Sequence, residues 1–183
     1  MHKDFKKLIE LLKNLEFYFE DPSKDRNYET RFLLQKLTYI AKSLGMDISY
    51  DFGLYLNGPY CPSLADDYYN NPHLVITMDS PYSLNTQESE ISQIIKNKIL
   101  SHPLNQNHQS EFLEAIATIL FLKQEDPDLL DDEVFQRVKE IKEYISDKIL
   151  IIALNTVKKL NFKEKYLTKD IQEKLELWDR AED

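Results

Sequence analysis

Asp47, Asp51, Asp66, Asp67 and Asp79 lie close together in the sequence, and clustered carboxylates are the residue type that gathers Mg²⁺ for phosphate chemistry. Such chemistry also needs a cation to hold the phosphate. No Lys or Arg occurs between Ser43 and Ile95, so that cation is missing from the segment. Cys61 follows the Gly58-Pro59 turn, where a thiol could be exposed, and His73 is the nearest candidate base. No third group in the sequence marks itself as the one that orients such a pair. The four histidines, His2, His73, His102 and His108, form no i, i+4 pair of the kind that holds zinc on a helix. No arginine is followed by a histidine at the spacing of an Arg/His ribonuclease pair. The residues thus point to no catalytic set, metal site or cofactor. A metal-dependent enzyme built on the Asp cluster remains as an alternative.

Tyrosine is the other concentrated residue type. Tyr50, Tyr55, Tyr60, Tyr68, Tyr69 and Tyr82 all fall in the segment that lacks basic residues. Tyrosine suits protein interfaces because it covers much area with few rotatable bonds. An acidic, tyrosine-bearing face made by Tyr55, Tyr60, Asp66, Asp67 and Tyr69 would take a basic protein partner. The competing reading is that these rings complete a small core around a hairpin.

The elements that must position these residues follow from hydrophobic spacing. Phe5, Leu8, Ile9, Leu12, Leu15 and Phe19 predict a helix over about residues 3–20, and Leu33, Leu34, Leu37, Ile40, Ala41 and Leu44 a second one ending at Gly45. Tyr50, Phe52, Leu54 and Leu56 alternate with polar or small residues, which predicts a strand with an inward apolar face, stopped by Gly58 and Pro59. Pro62 fits the first turn of the next helix, carried by Leu64, Ala65, Tyr68 and Tyr69. The β-branched run Leu74 to Met78 predicts a second strand pairing with the first as a wing-like hairpin. Asn85 and Glu88 have the spacing of a capping box before Ile91, Ile94, Ile95 and Ile99. A strongly apolar helix through Phe112, Leu113, Ile116, Ile119, Leu120 and Leu122 is expected to be central. Further helices are expected through Val134 to Ile145, through Ile149 to Leu160 behind Ser146, and from Thr168 through Ile171, Leu175 and Trp178.

The fold class read from this order is mainly α (α+β): one compact multi-helix domain over residues 1–183 with a small winged-helix-like β-hairpin. With 42% hydrophobic residues, 183 residues can close a core of ordinary size. No apolar run approaches the roughly 18 residues of a membrane span, and the N-terminus lacks a secretory apolar core, so a cytoplasmic protein with no membrane partner is expected. A single cysteine agrees with a reducing compartment. Three glycines leave little for a phosphate-cradling loop. The net charge of −9 disfavours nucleic acid, whose affinity comes from cations that displace counterions. A winged-helix-like DNA-binding regulator, with the hairpin as wing and a lysine-bearing C-terminal helix as reader, is the alternative.

LQKLTYIAKSLG (Leu34 to Gly45), then YDFGLYLNGPYCPSLADD (Tyr50 to Asp67), resembles the YwgA-like proteins of bacteria and archaea and, more distantly, the Panacea domain of SocA-like antitoxins. Both show a Leu-Gln-Lys-Leu helix leading to an aromatic strand and a Gly-Pro turn. LEAIATILFL (Leu113 to Leu122) and the helix around Val138 to Lys142 look like the second half of the YwgA-like pattern, so the resemblance covers about residues 31–160. It implies a non-enzymatic regulatory or protein-interaction role, antitoxin-like in the loose sense.

Overall fold

The computed structural model describes residues 1–17 and 28–160, together with Glu173 and Leu177. Within these residues the chain is mainly α-helical with one small antiparallel hairpin. The elements are α1 (Phe5–Asn14), α2 (Tyr28–Ser43), β1 (Gly53–Tyr55), β2 (Gly58–Tyr60), α3 (Pro62–Asn70), α4 (Pro72–Thr77), α5 (Thr86–Ile95), α6 (Leu104–Asn107), α7 (Gln109–Glu125), α8 (Asp131–Ile141) and α9 (Asp147–Leu160). A π-helical turn, Lys96–Leu100, continues α5. The last helix expected from the sequence, after Thr168, lies outside the described residues except for Glu173 and Leu177, which are helical.

The central position of α7 follows from its composition. Every residue from Phe112 to Ile119 is buried, so this helix has no polar face over that stretch and is packed on several sides. It lies against α2, α8 and α9 and carries β2 on its surface. The stripe of α2 points into the same core: Leu37 and Ile40 are completely buried, and Gly45 takes φ +98° just past the helix end, a conformation that suits glycine. Tyr50 is buried, as its phase with Phe52 predicts. The capping box of α5 is formed, with Asn85 Oδ1 accepting from Glu88 N–H at 2.9 Å and Glu88 Oε2 from Asn85 N–H at 2.9 Å.

The hairpin differs from the one expected. Its two strands are adjacent in sequence, with Leu54 opposite Pro59 and Tyr55 opposite Gly58, so Gly58 and Pro59 belong to β2 and do not end the β-structure. Leu56 and Asn57 make the turn, and Gly58 closes it at φ +81°. The segment expected as its partner, Leu74 to Met78, is largely helix α4 with Pro72 at its first turn. Val75 and Met78 are buried while Ile76 is exposed, a helical spacing. Here one buried helical face outweighed the β-propensity of the run, a preference worth at most about 1 kcal/mol per residue. With that pairing gone, the wing built from two distant strands is gone as well.

Candidate functional site

Between Gly45 and Cys61 the chain is not helical, so its carbonyls need partners from elsewhere. Lysines supply several of them. Lys7 of α1 donates to Asp47 O at 2.7 Å, Lys42 of α2 to Tyr50 O at 2.5 Å and Lys36 of α2 to Pro59 O at 2.9 Å. Lys142, just past α8, donates to Leu56 O. Gln35 acts as a substitute strand beside Cys61, accepting from its N–H at 2.8 Å and donating to its carbonyl at 2.9 Å. The turn is therefore strapped on both sides by buried side chains of two helical elements.

Beneath it lies a buried charged cluster. Lys142 Nζ is 2.7 Å from Glu114 Oε1, with both side chains enclosed, and the Tyr144 hydroxyl donates to the same oxygen. Burial, with the Glu114 bond and charge added, pushes the Tyr144 phenol far above its ordinary range. Lys36 stands over the Phe32 ring at 4.9 Å, and burial pulls its ammonium down to about 7, with Glu114 opposing and Lys142 reinforcing the shift. Glu114 and Thr118 share one face of α7 at i, i+4, and Thr118 Oγ1 is buried without a hydrogen-bond partner among the described residues.

The lowered Lys36 value has a measurable consequence. Between about 7 and 10.5 the unfolded chain binds more protons at this site than the folded one, so the contribution of Lys36 to stability rises with pH across that window. The stability of the wild type relative to Lys36→Met should therefore increase with pH there, as read by chemical denaturation. Parallel profiles would show that Lys36 stays protonated when folded.

The strapped turn presents its tip outward. Leu56 is 78% exposed and Tyr55 52% exposed, which are high values for large apolar residues on a rigid turn. The apolar-inward phase of Tyr50, Phe52 and Leu54 thus breaks at Leu56, because the chain reverses there. Two clefts flank the tip and share Tyr28, Phe32 and Asn57 as a dividing wall, where Asn57 Nδ2 donates to the Tyr28 hydroxyl. One, of about 190 Å³, lies between Lys36, Tyr55 and Tyr60. The other, of about 480 Å³, is bounded by Tyr28, Glu29, Phe32, Glu111, Glu114 and Tyr144.

The residues expected at a partner site fare differently. Tyr55 and Tyr60 stack edge to face on the hairpin with ring centroids 5.4 Å apart. Tyr69 is exposed and joins the same region through Arg31, whose Nη1 donates to its hydroxyl at 2.9 Å and whose guanidinium lies between the rings of Tyr28 and Tyr69. Asp66 is exposed on α3 but lines neither cleft. Asp67 is a correction: it is buried, accepting from the Tyr50 hydroxyl at 2.6 Å and from His2 N–H at 2.8 Å. Burial raises its carboxyl, but these hydrogen bonds outweigh it and hold Asp67 below the usual carboxylate range. It secures the chain near the N-terminus and is not part of the exposed face. Gly58 and Pro59 form the strapped turn itself.

Cys61 is buried with its thiol 3.1 Å from Ser63 Oγ, whereas His73 is exposed on α4. No group of three or more His, Cys, Asp or Glu residues is placed to hold a metal among the described residues, and no helix there is long and apolar enough to cross a membrane. Lys36, Glu114, Lys142 and Tyr144 were not singled out from the sequence. A signal for Glu114 was present: it is the one charge inside the apolar run Phe112 to Leu122, and a charge so placed needs a buried counterion.

No protein-family model matches the chain, and no curated protein or solved structure matches it.

Proposed function

We propose that the protein is a non-enzymatic interaction module that docks a partner protein on the strapped hairpin tip and the tyrosines around it. The observation that carries this reading is the gathering of exposed Tyr28, Tyr55, Leu56 and Tyr144 around the two clefts, with exposed Tyr69 joined to them through Arg31. Aromatic anchors held on a preorganised turn bind with little ordering cost, which is how a few residues come to dominate an interface. Buried lysines and Gln35 supply that preorganisation. A regulatory role of the antitoxin type, in which this face holds a second protein, is the form of the reading that the YwgA-like and Panacea resemblance implies.

A photo-reactive residue in place of Leu56 should cross-link a partner in host extract, and one at exposed Ile151 on α9 should not. Tyr55→Ala and Tyr60→Ala should reduce the Leu56 cross-link while lowering stability by no more than about 1 kcal/mol, since partly exposed rings give up few internal contacts. Equal cross-linking at Ile151, or collapse of the fold in both tyrosine variants, would remove the reading.

A further inference from the structure

We propose that the larger cleft receives an arginine side chain of the partner, inserted between Tyr28 and Tyr144 with its guanidinium facing Glu29 and Glu111. This inference rests on the docking reading above and adds the chemistry of the anchor. Three aromatic rings, Tyr28, Phe32 and Tyr144, and three carboxylates, Glu29, Glu111 and Glu114, line the cleft, and among the described residues no lysine or arginine does. Glu114 is already matched at the cleft floor by Lys142 and the Tyr144 hydroxyl. Among the described residues Glu111 meets only His108 Nδ1, at 2.8 Å, and Glu29 has no partner. The mouth of the cleft is therefore negative while its walls are flat rings.

A guanidinium fits both properties, because its planar face stacks on aromatic rings and its fork of N–H donors meets carboxylates. A compact ammonium is also drawn to ring faces, but it can neither stack on them as a plane nor meet a carboxylate through two parallel N–H bonds. A protein side chain is favoured over a small free cation because Asn57 of the cleft wall directly follows Tyr55 and Leu56, whose exposed area a small cation would leave uncovered. The partner segment is accordingly an arginine next to an apolar residue, the arginine in the cleft and its neighbour on Leu56.

The test is selection of a random peptide phage library on the full-length protein, followed by fluorescence anisotropy with synthetic copies of the enriched peptides. Enriched peptides should carry arginine beside an apolar residue. Their binding should weaken by about tenfold in Glu29→Gln and in Glu111→Gln, and weaken further with added salt. Tyr55→Ala should also weaken them, and choline chloride should not displace them. Peptides without a basic residue that depend on Tyr55 but are indifferent to Glu29→Gln and Glu111→Gln would overturn the arginine assignment and leave the docking reading standing. Displacement by choline would overturn it in favour of a small organic cation. Peptides indifferent to all three variants would overturn both.

Discussion

Glu114→Gln should cost about 3–5 kcal/mol of stability, the loss typical when one member of a buried ion pair is removed. The amide keeps the shape of the side chain but leaves the enclosed Lys142 ammonium without its anion, and takes the carboxylate from Lys36 as well. The hairpin should loosen with it, because Lys142 and Lys36 are the groups that hold the Leu56 and Pro59 carbonyls. Urea denaturation of the purified variant gives the magnitude. The double variant Glu114→Gln/Lys142→Met should recover part of the loss, since no buried ammonium then faces the amide. A loss below about 1 kcal/mol for the single variant, the level of an exposed pair, would mean that the cluster is hydrated.

Gly58→Val should be nearly as damaging, for two separable reasons. At φ +81° a β-branched residue is strained, and a Cβ there would lie 2.8 Å from Thr118 Oγ1 and 3.4 Å from Lys36 Nζ. Strain and overpacking each cost about 1–3 kcal/mol, so a total of roughly 4 kcal/mol is expected. Gly58→Ala compared in the wild type and in a Thr118→Ala background divides the two. The clash disappears with the Thr118 hydroxyl and the strain persists, so the alanine should cost less, but not nothing, in the second background. An unchanged melting midpoint for Gly58→Val would show that the turn adopts another conformation in solution.

Local patterns in the chain determined the helices, the capping box at Asn85 and the positive φ at Gly45 and Gly58. In each case the cause lies within a few residues: an apolar stripe at helical spacing, a side chain that reaches its own backbone, a residue without a Cβ. The same local reasoning misplaced a strand at Leu74 to Met78, because burial of Val75 and Met78 against neighbouring helices outweighed their β-propensity. It took Asp67 for a surface acid, because nothing nearby in sequence announces the Tyr50 hydroxyl and the His2 N–H that enclose it.

The absence of Lys and Arg between Ser43 and Ile95 was legible, but its meaning was not. Lys7, Lys36, Lys42 and Lys142 reach the segment from other elements and bind its carbonyls, so packing brings to its backbone the cations that its own sequence lacks. The tyrosine concentration singled out Tyr55, Tyr60 and Tyr69, whereas Tyr28 and Tyr144, distant in sequence, join that region only through packing. Short-range sterics and amphipathic spacing are properties of the chain, and they set where helices and turns form. Which side chains share a cleft, and which charges are enclosed with which counterions, was decided by how α2, α7, α8 and the hairpin close on one another.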